Sequence, residues 1–221
     1  MTKIKLCGLS RLCDIEAANG LKPDYIGFVF ASKSKRYVTP EKAAELKRML
    51  APSIRAVGVF VNEVPQSVAV LLSSGIIDMA QLHGDENESY IKKLRTLTDK
   101  PIIKAFRIKN NEDIANAVQS TADYILLDSG AGTGKVFDWN LIKSINRPYF
   151  LAGGLDVQNV GSAIKALAPY AVDVSSGIET DGLKDKNKMA AFIAAVGKEE
   201  RSGQIKQDAS AFTAVSTSPK R

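Results

Sequence analysis

Short apolar runs and longer amphipathic stretches alternate along the chain. The short runs are rich in β-branched and aromatic residues and fall at Lys3–Cys7, Asp24–Phe30, Arg55–Val61, Asp78–Leu82, Pro101–Phe106, Asp123–Asp128, Tyr149–Ala152 and Ala171–Val174. Each reads as a strand, and each is followed by a segment whose apolar residues return at helical spacing. Val64, Val68, Leu71 and Leu72 share one face, as do Val157, Val160, Ile164 and Leu167, and again Met189, Phe192, Ile193 and Val196. Polar residues fill the opposite faces, so each helix would lay one stripe against a sheet. Strict strand–helix alternation predicts a parallel sheet covered by helices. Eight units suit closure, which leaves no exposed sheet edge, so the fold class is α/β, a single (β/α)8 (TIM) barrel. A doubly wound open sheet is the competing fold, but the first turn, Cys7-Gly8-Leu9-Ser10, lacks the GxGxxG pattern of that class.

The pattern stops near Gly197. Residues 198–221 are rich in Ser, Thr, Lys and Gln and poor in apolar groups, too few to offset the entropy of ordering them. The domain reading is therefore a barrel over residues 1–197 followed by a flexible polar tail. The length of 221 residues suits one such domain, and a hydrophobic fraction of 45% is enough to fill its core.

Charge and cysteine content narrow the function. A net charge of +6 points to nucleic acid or to an anionic small molecule. The lysines are spread along the helical segments with no aromatic-interleaved basic block, which favours the small molecule over nucleic acid. No apolar run is long enough to cross a bilayer, and the N-terminal stretch reads as a strand rather than a signal peptide. Cys7 and Cys13 form no CxxC motif, and His83 is the only histidine. A metal site is not expected, and the chain reads as a reduced, cytoplasmic protein. Oligomeric state is not encoded in any over-hydrophobic helix face.

In barrels the chemistry gathers at the C-terminal ends of the strands. Those ends here carry Cys7, Arg36, His83, Asp128, Gly153-Gly154 and Ser175-Ser176-Gly177. The two small-residue loops after the seventh and eighth strands suit a phosphate, because backbone N–H groups there approach an anion closely; tight turns are the plainer reading. Cys7 is a candidate base once a cation such as Lys5 or Arg36 raises its thiolate fraction, or else an inert buried thiol. Asp128 ends an apolar run, where desolvation raises a carboxyl pKa and suits a general acid; capping its own loop is the alternative. Arg36 can grip a carboxylate in bidentate fashion or decorate a solvated loop. His83 can polarise a substrate or satisfy its own loop.

Together these strand-end segments resemble the phosphoribosylanthranilate isomerase family. The matching pieces are Lys5-Leu6-Cys7-Gly8-Leu9, Gly27-Phe28-Val29-Phe30, Ser34-Lys35-Arg36-Tyr37-Val38, Gln81-Leu82-His83-Gly84, Leu127-Asp128 with Gly132-Thr133-Gly134 and Phe137-Asp138-Trp139, Leu151-Ala152-Gly153-Gly154-Leu155, and Val172-Asp173-Val174-Ser175-Ser176-Gly177-Ile178-Glu179. They stand in family order. Leu6 and Ile178 are minor departures from the isoleucine and valine common there, and the tail inherits nothing from the family. The resemblance implies an Amadori rearrangement of N-(5-phosphoribosyl)anthranilate in tryptophan biosynthesis, without cofactor. It implies Asp128 as the acid at the ring oxygen and Cys7 as the base at C2, with Arg36 meeting the anthranilate carboxylate. Two rivals stay open at this point: another sugar-phosphate barrel isomerase, and a non-catalytic barrel that binds a phosphorylated ligand.

Overall fold

All eight apolar runs are strands. The computed structural model describes residues 1–128, 142 and 145–199. Strands β1 (Lys3–Cys7), β2 (Tyr25–Val29), β3 (Arg55–Phe60), β4 (Met79–Leu82), β5 (Ile102–Arg107), β6 (Tyr124–Asp128), β7 (Tyr149–Ala152) and β8 (Ala171–Val174) follow one another around a closed parallel barrel. The seam closes where β8 pairs with β1, with Lys3 opposite Ala171 and Lys5 opposite Asp173. The helices α1 (Leu12–Leu21), α2 (Pro40–Met49), α3 (Pro65–Ser73), α4 (Glu88–Arg95), α5 (Asn111–Gln119) and α6 (Val160–Leu167) cover the outside. A last helix occupies 186–199, two residues beyond the boundary expected at Gly197. Val68, Leu71 and Leu72 bury the inner face of α3 as expected, but Val64 is its exposed N-cap, and Val157 stands exposed ahead of α6. The Gly132-Thr133-Gly134 and Phe137-Asp138-Trp139 pieces, the helical segment expected after β6 and residues 200–221 lie outside the described residues.

Alternation along each strand sorts the core into two parts. Ile4, Leu6, Ile26, Phe28, Ala56, Leu82, Ile125 and Val172 point outward into the layer shared with the helices. Tyr25, Val57, Met79, Ile103, Leu126, Phe150 and Ala171 fill the barrel interior. Towards the N-terminal ends of the strands that interior is aromatic. Tyr25 and Tyr170 share a hydroxyl–hydroxyl hydrogen bond of 3.1 Å, Tyr124 stacks on Tyr170, and Phe150 packs against all three rings. Towards the C-terminal ends the interior residues become Cys7, Gln81, Asp128 and Asp173. The apolar plug thus closes one end and leaves the polar end to accept a ligand.

One device recurs at the closed end. Asp24, Asp78 and Asp123 each stand just before an even-numbered strand. Each accepts a backbone N–H from the preceding odd-numbered one: Ile4 at 2.9 Å, Ala56 at 2.7 Å and Ile102 at 2.7 Å. Each also meets a cation, Lys3, Lys47 and Arg95 respectively. These N–H groups would otherwise lack an acceptor at the strand start. Asp78→Ala should therefore lower stability by about 1–3 kcal/mol in urea titrations, without changing turnover. No loss of stability would mean that the latch is ornamental.

Candidate active site

A cavity of about 350 Å³ opens at the polar end of the barrel, within the range of small-molecule sites. Its wall includes Cys7, Arg36, His83, Asp128, Gly153, Gly154, Ser175 and Ser176, so the barrel brings eight of the nine expected site residues to one place. Gly177 is the exception. A side chain there would sit 2.0 Å from the Leu155 carbonyl oxygen, so its smallness lets the loops after β7 and β8 pack backbone to backbone.

Cys7 ends β1, 8% exposed, packed with Val29 and Val59. Its room is supplied by β2: a Cβ on Gly27 would lie 2.6 Å from the Cys7 Sγ. Two residues earlier on the same face, Lys5 is fully buried, its ammonium 3.0 Å from both carboxylate oxygens of Asp173. Burial pushes the Cys7 thiol above its ordinary range; Lys5 and Lys184 oppose the rise and Asp173 adds to it. For Lys5 itself, burial works downward, but Asp173 and Cys7 outweigh it and leave the ammonium firmly charged. The cation expected beside the thiol is present, and burial nonetheless prevails.

Arg36 already grips a carboxylate, that of Glu179. Its Nε and one terminal nitrogen donate to the two Glu179 oxygens, each at 2.6 Å. Lys184, also buried, donates to Glu179 Oε1 and to the Ser175 carbonyl. The Arg36 and Lys184 cations hold the Glu179 carboxyl below its usual range against the upward push of burial. The short strands Glu179–Thr180 and Leu183–Lys184 form the hairpin that brings both residues to the cavity rim.

Across the cavity, Asp128 ends β6 beside Ala152 of β7. The His83 Nε2 lies 3.4 Å from Asp128 Oδ2, and the His83 Nδ1 lies 2.8 Å from Gln81 Nε2. His83 thus neither merely satisfies its own loop nor stands apart from the acid. Between these walls, Gly153 and Gly154 take positive φ values of 96° and 65°, with the Asn159 amide donating to the Gly154 carbonyl at 2.9 Å. Ser175 donates its hydroxyl to the Cys7 carbonyl at 3.2 Å, tying the loop after β8 to the end of β1.

Sequence reasoning missed Gln81, Asp173, Glu179 and Lys184 as parts of this site. The available signal was a polar residue at an inward strand position: Gln81 two before His83, and Asp173 two before Ser175. The arrangement offers a thiol and a carboxyl facing a common space, a cationic rim and small-residue loops for an anion. It suits general acid–base work on an anionic small molecule.

Cys13 is the other cysteine, and exposed, so Cys13→Ser leaves one thiol to follow. In that background, iodoacetamide alkylation of Cys7 should keep accelerating past the ordinary thiol value of 9.0. Lys5→Met, which removes the first opposing cation, should move the midpoint higher still. A midpoint that stays put would remove Lys5 from the thiol's electrostatics.

The family model described as N-(5'phosphoribosyl)anthranilate (PRA) isomerase matches residues 4–195. The N-(5'-phosphoribosyl)anthranilate isomerase of Thermoanaerobacter pseudethanolicus is 46% identical over 200 residues, covering 87% of this chain and 97% of its own. Among solved structures, phosphoribosyl anthranilate isomerase from Thermotoga maritima superposes with a TM-score of 0.82 at 37% identity, covering 90% of this chain and all of its own. A phosphoribosyl anthranilate isomerase in complex with reduced 1-(o-carboxyphenylamino)-1-deoxyribulose 5-phosphate gives 0.79 at 38% identity, covering 89% of this chain and 100% of its own.

Proposed function

The chain belongs to the N-(5'-phosphoribosyl)anthranilate isomerase family, and we propose that it performs that isomerisation with Cys7 as base and Asp128 as acid. The observation that carries the reading is the placement of these two groups at the ends of β1 and β6, both lining one cavity. The reaction is the Amadori rearrangement of N-(5-phosphoribosyl)anthranilate to 1-(2-carboxyphenylamino)-1-deoxyribulose 5-phosphate, a step of tryptophan biosynthesis.

The steps follow from the chemistry of the substrate. Asp128 gives its proton to the furanose ring oxygen as the C1–O bond breaks. The anthranilate nitrogen donates its lone pair to C1, which leaves a Schiff base. The thiolate of Cys7 then takes the proton from C2, and the electrons released form the C1–C2 double bond of an enolamine. Loss of the C2 hydroxyl proton and protonation of C1 complete the ketone. The substrate nitrogen serves as the electron sink, so the residues need supply only placed protons and charge.

Anchoring divides between two ends of the cavity. The loops after β7 and β8, with Gly153, Gly154, Ser175, Ser176 and Gly177, take the phosphate through their backbone N–H groups. Arg36, held by Glu179, turns its other N–H groups to the anthranilate carboxylate; a guanidinium carries five donors, and Glu179 takes two of them. Hydrophobic walls of Val29, Val59 and Val61 flank the aromatic ring's path into the cavity. The ligand class is a small phosphorylated sugar derivative. Among the described residues no helix is long and apolar enough to cross a membrane. We assign residues 1–199 to the catalytic barrel and read 200–221 as a polar tail outside it, and we place the enzyme in the cytoplasm, where its substrate chemistry belongs.

The decay of phosphoribosylanthranilate fluorescence on adding the protein tests the reading directly. Cys7→Ala and Asp128→Asn should each lower kcat by about 10²–10⁴-fold while KM changes little. Near-normal turnover by either would place that proton transfer elsewhere, and no acceleration by the parent chain would leave only a binding barrel. Arg36→Met should act differently, raising KM by about tenfold through the lost charged contact. An unchanged KM would take Arg36 out of the carboxylate site.

A further inference from the structure

Gln81 is a polar residue at an interior position of β4, 1% exposed, where a barrel usually places an aliphatic side chain. Burying an amide costs free energy unless both its halves are hydrogen-bonded. Here only one half is: Nε2 lies 2.8 Å from His83 Nδ1, while Oε1 is buried with no partner among the described residues. An amide retained on such terms calls for an explanation beyond packing.

The explanation lies two atoms further on. The other ring nitrogen, His83 Nε2, is 3.4 Å from Asp128 Oδ2. That distance is long for a relaxed hydrogen bond, as contacts to catalytic groups often are before substrate binds. Once Asp128 has given up its proton, its carboxylate offers acceptors only, so Nε2 must carry hydrogen for the contact to be attractive. A neutral imidazole protonated at Nε2 has a lone pair at Nδ1, and that lone pair needs a donor. The Gln81 amide nitrogen is the donor that faces it.

We propose that Gln81 is a positioning residue that fixes the His83 tautomer with its proton on Nε2, aimed at Asp128 Oδ2. One oxygen of the acid is then held, leaving Oδ1 to deliver the catalytic proton, and the carboxylate left behind is stabilised as it forms. The chain is Gln81 to His83 to Asp128, from the end of β4 across to the end of β6. The inference rests on Asp128 being the acid; activity surviving in Asp128→Asn would sink that reading first. An inactive Asp128→Asn beside an indifferent Gln81 variant would sink this inference alone.

His83 is the only histidine in the chain, so in the untagged, ¹⁵N-labelled protein a long-range ¹H–¹⁵N correlation reads its tautomer without assignment. The parent chain should show Nε2 protonated and Nδ1 bare. Gln81→Glu places an acceptor against Nδ1 and should draw a proton there, with kcat falling about tenfold, the worth of one oriented hydrogen bond, and KM little changed. Gln81→Met, which buries no charge, serves if the glutamate variant fails to fold; its proton should spread over both nitrogens and its kcat should fall likewise. A parent spectrum with Nδ1 protonated overturns the proposal. So does an unmoved tautomer or wild-type kcat in whichever variant folds, or a rise in KM alone, which would make Gln81 a substrate ligand.

Discussion

The Lys5–Asp173 ion pair is the contact on which the active end of the barrel rests. It joins residues 168 positions apart, across the seam where β8 closes on β1, with the lysine fully buried. Removing one partner of such a pair strands a charge in the interior at a cost of about 3–5 kcal/mol. The strands leave the pair in register, and two residues further along each stand Cys7 and Ser175, themselves hydrogen-bonded at 3.2 Å. Position and charge of the thiol therefore follow from one contact. Lys5 favours the thiolate and Asp173 disfavours it, so the thiol is kept protonated by burial while a cation stays within reach.

Above this pair the cavity is built from charges that are mostly already matched. Arg36 is committed to Glu179, and Lys184 to Glu179 and Ser175. Beside β4, Lys104 and Glu86 form another buried pair, with Glu86 also accepting N–H groups from Asn62 and Gly84. Matched charges reorganise little when a charge develops nearby, which is what electrostatic stabilisation of a transition state requires. The opposite end carries the tyrosine and phenylalanine plug instead. Stability and chemistry are thus separated along the barrel axis.

Much of this was legible in the sequence because it is local. The strands could be placed from short β-branched runs, and Cys7, His83 and Asp128 stand where those runs end. What was not legible depends on pairings between distant segments. Nothing near Arg36 announces Glu179, 143 residues away, and nothing near Lys5 announces Asp173. Gln81 was hidden differently: it sits in a strand, and only the parity that points it inward separates it from a solvated glutamine. Gly177 misled because a glycine needed for close packing looks the same as one needed for a phosphate. Val64 and Val157 fell outside their helices because capping and turn geometry, not hydrophobic spacing, set the boundaries.

The aspartate latches at the closed end have a consequence for how the chain comes apart. Each spans only 20 to 22 residues, against 168 for Lys5–Asp173. Loop entropy rises with the logarithm of length, so the roughly eightfold longer closure costs about 2 kcal/mol more. Pairs β1–β2, β3–β4 and β5–β6 hold themselves by short-range contacts, whereas the β8–β1 seam is the pairing least supported by chain connectivity. Partial opening of the native molecule is cheapest along that seam. Cys7 stands on its edge, so its reactivity toward a thiol reagent doubles as a gauge of how often the closed ring breathes.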